Sequence, residues 1–282
     1  YNTHYNAMNA HFALNEAFLD SAQIRGNVVT RAKLLGYVPR SILSPRATID
    51  LVVNVAGESG TIPTTLTLPR GTKLKTLIGG EEFQYVVLDN HTATISSNEF
   101  TFSDVTICEG TFREIKYRVD NDVENQKFQL SDDNSDTSTL RVRVQENEES
   151  SAFDIYTQFE SLSAVNEETK TYYLQQNSNE YFEIYFGDGV TGFKPVNNNI
   201  VTLDYIVTKG KESNGAGGAV NSTTGFSMVD NVGGFSTITV QTKSLSAGGV
   251  EEETSESIRF NAPLTFTSQN RAVTADDYAA II

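Results

Sequence analysis

The sequence predicts an α+β fold that is mainly β, with one or more antiparallel, sandwich-like β domains between an N-terminal and a C-terminal helical segment. Three observations lead to this prediction. Apolar residues recur at three- and four-residue steps before residue 40, short alternating runs follow from residue 46, and a helix signal returns after residue 250. Because no helix is predicted between the strands, a parallel βαβ sheet is disfavoured.

We expect three regions along the chain. An N-terminal helical segment covers residues 1–45, a β-rich body covers 46–245, and the start of a C-terminal α-containing domain covers 246–282. The body is either one unit or two subdomains with a break near 120–150. Because the sequence begins without Met and ends inside a predicted helix, we also expect it to be a segment of a longer protein.

The N-terminal segment predicts two helices, or one bent helix, ending at Gly36. A glycine at this place, with Pro39 three residues further on, is a typical helix stop signal. The apolar stripe of these helices must be buried, either on the chain's own β domain or in a bundle with partner chains. We predict a partner interface, and its residues are Phe12, Phe18, Val28, Ala32 and Leu35.

Alternation of branched and polar residues predicts strands through most of the β-rich body. The predicted strands lie at 48–55, 64–68, 73–78, 82–88, 92–96, 99–108, 112–119, 140–144, 152–159, 171–175, 181–186, 200–208 and 235–242. In the C-terminal region, crowded acids at 251–256 predict a short helix that Pro263 closes, and Thr274 begins a final helix.

Charge and composition exclude several classes of function. The 36 acidic residues outnumber the 21 basic ones and give a net charge of −15, so we expect no nucleic-acid partner. No apolar run reaches the ~18 residues of a bilayer-spanning segment, so we expect no membrane partner. The single cysteine, Cys108, rules out an internal disulfide, and its alternating surroundings predict a small apolar side chain in a strand.

The segment 187–192 matches the G-x-G-x-x-G pattern of dinucleotide sites. A predicted strand precedes it, but Pro195 and an asparagine run follow in place of the required helix. We therefore predict a hairpin turn, in which Asp-Gly supplies the positive φ angles. The residues of this structural turn are Gly187, Asp188, Gly189 and Gly192.

Other candidate sites lack the residues that their chemistry requires. The run Asp132-x-Asn134-x-Asp136 resembles the start of a calcium loop, but Thr137 stands at the glycine position and Arg143 at the glutamate position. The three histidines lack metal-ligand spacing, and the adjacent acid pairs are typical of surface charge. We therefore expect no catalytic residue, cofactor, metal or small-molecule substrate.

Three sequence blocks together resemble the baseplate J-like family of phage tail proteins. The first block, 22–39, ends in Leu-Gly-Tyr-x-Pro; the second, 186–205, begins with Phe-Gly-Asp-Gly; the third, 252–278, contains Ile-Arg, Ala-Pro and Arg-Ala-Val-Thr. The blocks occur in the family's order, and the centre of the chain looks closest to the T-even-type members. The sequence departs from the family's pattern at Asn197-Asn198, where a glycine is frequent.

This resemblance implies a structural role without catalysis. It implies a component of a contractile-tail baseplate wedge that assembles with a second copy of itself and with other wedge proteins into the ring around the hub. The ring relays the trigger for sheath contraction. The implied location is the virion tail baseplate, and the host cytoplasm during assembly.

Two alternatives belong to other classes of function. One is a β-sandwich module of a tail or secreted adhesin that binds a carbohydrate or a receptor. The other is a glycoside hydrolase or lyase, which requires two carboxylates opposed across a cleft.

Overall fold

The computed structural model describes residues 2–58, 60–159 and 165–268. Over these residues the fold is mainly β with helices towards both ends, as the sequence predicts. The helices are α1 (Asn2–Asn15), α2 (Arg25–Leu34) and α3 (Ser255–Ser268). The strands form two sheets, one of eight strands and one of seven.

The N-terminal segment forms two separate helices, joined by residues 16–24. The predicted stop signal after α2 is confirmed. Gly36 adopts a φ of +77°, and the Tyr37 N–H donates to the Ala32 carbonyl oxygen at 3.1 Å.

The third helix differs from its prediction. We expected a short helix closed by Pro263, but α3 continues through this residue to Ser268. A proline inside a helix removes one backbone hydrogen bond and costs about 3 kcal/mol. Burial of Ile258 and Ala262 in a cluster with α2 residues offsets this cost. The final helix predicted from Thr274 lies outside the described residues.

Sheet one combines strands from the two ends of the β-rich body. Its strands are β1 (Arg46–Asn54), β2 (Thr65–Leu68), β3 (Lys73–Ile78), β4 (Glu81–Val87), β5 (His91–Ser96), β6 (Glu99–Glu109), β14 (Ser227–Met228) and β15 (Ile238–Ala247). The order is β14-β3-β4-β6-β1-β15, and β5 pairs with both β6 and β2. In β1 alternate residues are buried, as a half-buried strand requires.

Sheet two is built from the middle of the chain. Its strands are β7 (Thr111–Arg118), β8 (Phe128–Gln129), β9 (Ser135–Gln145), β10 (Phe153–Gln158), β11 (Thr171–Gln176), β12 (Phe182–Phe186) and β13 (Ile200–Val207). The order is β7-β13-β9-β10-β11-β12-β8. One pair departs from the antiparallel expectation, because β10 and β11 run parallel. Residues 159–170 connect them, and a connection of this length permits a crossover.

The chain passes between the two sheets at two neighbouring points. It leaves sheet one at Gly110, between β6 and β7, and it returns after β13. Each sheet has its own hydrophobic core, and a small cluster of Val86, Cys108 and Ile206 joins residues of both sheets. The subdomain break near 120–150 stays a prediction, and the change of sheet itself lies at Gly110.

Candidate functional site

α1 is an exposed helix, and none of the other described residues covers it. None of its residues is buried, and it contains no Asp, Glu, Lys or Arg. An isolated helix of this length is marginal in water, and exposed apolar patches typically mark interaction surfaces. The exposed apolar side chains of α1 and the turn after it are Tyr5 (68%), Met8 (60%), Phe12 (49%), Leu14 (61%) and Phe18 (66%).

The structure separates the five residues of the predicted partner interface. Phe12 and Phe18 are exposed, whereas Val28 and Ala32 of α2 are fully buried inside the chain. Leu35 is partly buried against the same cluster. The stripe is therefore two surfaces: an open one on α1 and the following turn, and an internal one on α2. Sequence periodicity does not distinguish a stripe that packs internally from one that packs on another chain.

The buried part of the stripe packs on α3. The cluster consists of Ala22, Val28, Val29, Ala32, Ile258 and Ala262. Two polar contacts join the same segments: the Arg25 guanidinium binds the Glu252 carboxylate, and Arg259 donates to the Ala22 carbonyl. The first block of the family resemblance and the described part of the third, residues 252–268, are thus neighbours in space. Together, α2 and α3 form one compact helical unit.

Glu16 fixes the turn between α1 and α2. Its carboxylate accepts hydrogen bonds from the Asn27 side chain at 2.8 Å and from the backbone N–H groups of Gln23 and Ile24 at 2.8 and 3.3 Å. The bond from Asn27, followed by that from Gln23, holds the pKa of Glu16 below its usual value. The carboxylate therefore stays ionised and receives donors at the N-terminal end of α2.

Glu253 connects the helical unit to the segment before β1. Its carboxylate accepts hydrogen bonds from the Tyr37 hydroxyl, the Arg40 N–H, the Ser257 hydroxyl and the Asn261 amide. Burial alone would raise the pKa of Glu253, but these donors outweigh it and lower the pKa below its usual value. A charge held by four donors orients α3 relative to the end of α2.

The predicted structural turn at 187–192 is present. The Asp188 carboxylate accepts hydrogen bonds from the N–H groups of Val190 and Thr191 at 3.0 and 2.9 Å. These bonds lower the pKa of Asp188 to about 2. Gly189 and Gly192 have φ angles of +93° and +113°, which favour glycine. At Gly187 a Cβ would lie 2.5 Å from the Thr191 carbonyl oxygen, so this position admits no side chain.

This turn does not close a hairpin, contrary to the prediction. β12, which precedes it, pairs with β11 and β8, and β13, which follows, pairs with β7 and β9. The turn instead packs back on the start of β11, because the Phe193 N–H donates to the Thr169 carbonyl oxygen at 2.8 Å. Asp-Gly fixes the local turn, but strand pairing is decided by contacts distant in sequence.

Replacing Gly189 with valine should destabilise the protein by ~1–3 kcal/mol. A Cβ at this position would contact nothing within 4 Å, so the loss comes from the positive φ alone. Thermal unfolding measures it, with Val190→Ala as the control because Val190 is exposed in the same turn. Equal melting temperatures for Gly189→Val and the original protein would contradict this assignment.

A groove of about 630 Å³ lies beside the turn. Residues 119–128 line one side, and the lining also includes Tyr185, Asp188 and Lys194. Its lining mixes acidic, basic and aromatic side chains.

Cys108, the predicted strand cysteine, is buried in β6, and burial raises the pKa of its thiol to about 12. The thiol is therefore protonated at neutral pH.

Within residues 2–58, 60–159 and 165–268, no group of three or more His, Cys, Asp or Glu side chains is placed to hold a metal ion. No helix in those ranges has the length and apolar character that crossing a membrane requires.

The described residues thus form two β-sheets with separate cores, a compact helical unit and an exposed helix without Asp, Glu, Lys or Arg, and exposed apolar surface of this kind is typical of proteins that contact other chains. The chain is 25% identical over 307 residues to the baseplate wedge protein gp6 of Enterobacteria phage T4, a match covering 100% of this chain and 44% of that protein. The expected resemblance to a T-even-type baseplate wedge protein is thus confirmed. The chain spans less than half the length of this relative.

No family model matches the chain. Among solved structures, the chain is similar to a chain in the cryo-EM structure of the anti-feeding prophage (AFP) baseplate, 6-fold symmetrised, with 13% identity and a TM-score of 0.30. That similarity covers 87% of this chain and 42% of the other. A TM-score this low does not establish a shared fold.

Proposed function

We propose that this chain is a structural, non-enzymatic component of a bacteriophage contractile-tail baseplate wedge. The observation that carries the proposal is the similarity along its whole length to a baseplate wedge protein. In this role it assembles with a second copy of itself and with other wedge proteins into the ring around the hub. The ring passes the trigger for contraction to the sheath. The site of action is the virion tail baseplate, after assembly in the host cytoplasm.

Within this proposal, α1 and the turn after it are the surface that joins partner chains. Tyr5, Met8 and Phe12 follow one another at steps of three and four residues, the spacing of a coiled-coil seam. Their exposure and the absence of charged residues in α1 favour burial against other helices. Val28 and Ala32 serve a different purpose, since they hold α2 on α3.

Replacing Phe12 and Phe18 together with aspartate should block wedge assembly and leave the β-sheets folded. Both side chains are exposed, so the change costs little in the isolated chain but places two charges in the proposed interface. Assembly is measured by co-purification of the full-length protein with the other wedge proteins of the same phage. Circular dichroism checks the fold.

The matched control is Leu77→Asp with Val220→Asp, which changes two equally exposed apolar residues outside α1. This control should assemble normally. Normal wedge formation by the Phe12/Phe18 variant would refute the role of α1. Equal loss in both variants would show that the effect is not specific to this helix.

A further inference from the structure

β7 forms an open edge of sheet two. Among the described residues it pairs only with β13, and it stands at the end of the strand order. Its eight residues, Thr-Phe-Arg-Glu-Ile-Lys-Tyr-Arg, are exposed or half-buried without exception. A regular edge strand of this length offers unpaired backbone groups to another strand.

The hydrogen bonds at both ends of β7 show which backbone groups point outward. Just after the strand, the Val119 N–H donates to the Asn199 carbonyl oxygen, and the Val119 carbonyl oxygen accepts from the Asn198 N–H, on the side of β13. Gly110, just before it, donates to Gln84 of β4, on the other side. Because the register with β13 is continuous, odd residues of β7 face β13 and even residues face outward. The outward groups are those of Phe112, Glu114, Lys116 and Arg118.

The side chains of β7 are self-complementary in one antiparallel register. If two copies meet with Ile115 opposite Ile115 on a two-fold axis, Glu114 of each copy lies opposite Lys116 of the other. In the same register, Phe112 lies opposite Arg118 and Arg113 opposite Tyr117. These are opposite-charge and cation–aromatic pairs, which stabilise cross-strand contacts. Within the chain Glu114 already binds Arg143, Arg118 binds Glu148 and Phe112 contacts Arg70, so the pairs between copies share these side chains with existing contacts.

Each of the two neighbouring registers contains a like-charge pair. Shifting the axis by one residue places Glu114 opposite Glu114 or Lys116 opposite Lys116, which is destabilising, although the Lys116-centred register also places Glu114 opposite Arg118. A two-fold interface requires a surface that complements itself, and β7 meets this condition in the Ile115 register. The alternating charges therefore select a register as well as discouraging unspecific pairing.

We propose that β7 pairs antiparallel with β7 of a second copy of this chain, in the register centred on Ile115, and so joins the two seven-stranded sheets into one. Two strands of this length bury less area than a stable dimer interface, so pairing in free solution is weak. Binding of both copies within one assembly raises their effective concentration and makes the pairing stable. The inference rests on the strand edge alone and does not depend on the role of α1.

Cysteine cross-linking tests the register directly. In the proposed pair, the Cα atoms of the two residues at position 115 are about 4.5 Å apart, within disulfide range, because this pair faces away from the ladder hydrogen bonds. At high protein concentration, purified Ile115→Cys should form a covalent dimer under mild oxidation, because the disulfide traps even a weak, transient pair. Arg113→Cys, on the same strand and face, should not, since its copies lie four residues apart across the pair. The original protein, with buried Cys108, gives the blank.

Charge variants distinguish specific pairing of the two β7 strands from random collision between copies. In the Ile115→Cys background, Lys116→Glu places glutamates opposite each other and should lower the rate of cross-linking about tenfold. Adding Glu114→Lys restores opposite charges and should recover most of that rate. Circular dichroism confirms that each variant folds. No dimer from folded Ile115→Cys, or an equally fast dimer from Arg113→Cys, would overturn the proposal whether or not α1 binds wedge proteins.

Discussion

Gly110→Ala should destabilise the protein by ~3–5 kcal/mol and lower its melting temperature by about 10 °C. Gly110 has a φ of +130°, and a Cβ would lie 2.4 Å from the Val207 carbonyl oxygen and 2.5 Å from Cγ2 of Ile206. The nearest obstacle is backbone and cannot rotate away. At this point the outgoing and returning chains cross between the sheets, so a side chain would push β13 away from β6.

Neighbouring groups hold the same crossing in place. The buried Glu109 carboxylate accepts hydrogen bonds from the Thr208 hydroxyl and the Lys209 N–H. Desolvation by burial raises the pKa of Glu109 above its usual value. At the crossing, Gly110 therefore approaches the Val207 backbone closely while the buried Glu109 carboxylate accepts two hydrogen bonds. A backbone shift that relieves a clash at Gly110 would also disturb these bonds.

The matched control for Gly110→Ala is Gly60→Ala. Gly60 has a similar φ of +141°, but a Cβ there would meet nothing within 4 Å. It should lose only the cost of backbone strain, about 1 kcal/mol. Chemical denaturation of both variants measures the difference. Equal losses would show that the contact with Val207 has no energetic consequence.

Asp136→Ala should destabilise the protein by ~3–4 kcal/mol. Asp136 is completely buried, and its carboxylate accepts four hydrogen bonds: from the Ser44 N–H and hydroxyl, and from the Ser138 N–H and hydroxyl. Alanine would leave the two buried Ser44 donors unpaired in the interior, where water does not replace the lost acceptor, whereas Ser138 is exposed. The bonds fasten the segment before β1 to the start of β9, and so attach the helical unit to sheet two.

Asp136→Asn is the control, because it keeps the size of the side chain and one acceptor oxygen. It should lose less than the alanine variant, since hydroxyl donors can turn to accept from the new amide whereas backbone N–H groups cannot. Ser44→Ala in combination with Asp136→Ala should lose less than the sum of the two single changes. Full additivity would contradict a shared hydrogen-bond network.

Local signals along the chain predict much of the fold. Gly36 ends α2 because a positive φ at that place depends on the glycine itself. The predicted strands at 73–78 and 92–96 agree closely with β3 and β5, because alternation is a property of consecutive residues. The short strands β8 and β14 escaped prediction, since two residues carry no period. At Asp136 the local pattern indicates only an incomplete calcium loop, because its hydrogen-bond partner Ser44 lies far away in the sequence.

The sequence did not show which residues of the apolar stripe are buried inside the chain and which are exposed. Phe12 and Val28 give the same periodic signal, yet one is exposed and the other fully buried. The difference arises because Ile258 and Ala262, more than 200 residues away, cover α2 and do not reach α1. Pro263 is a second example. A proline in the sequence predicts the end of a helix, but packing against α2 lets α3 continue through this residue.

The sequence by itself determined the mainly β class, the helices at the two ends, the glycine-dependent turns and the resemblance to baseplate proteins. These depend on residue type and spacing over a few positions, or on blocks that recur in order. Only the tertiary structure decided the strand order, the crossing at Gly110, the burial of Asp136 and the open edge at β7. Each of these depends on which distant segments of the chain contact one another. The free energy of such contacts is not determined by any short stretch of sequence, so local patterns do not predict them.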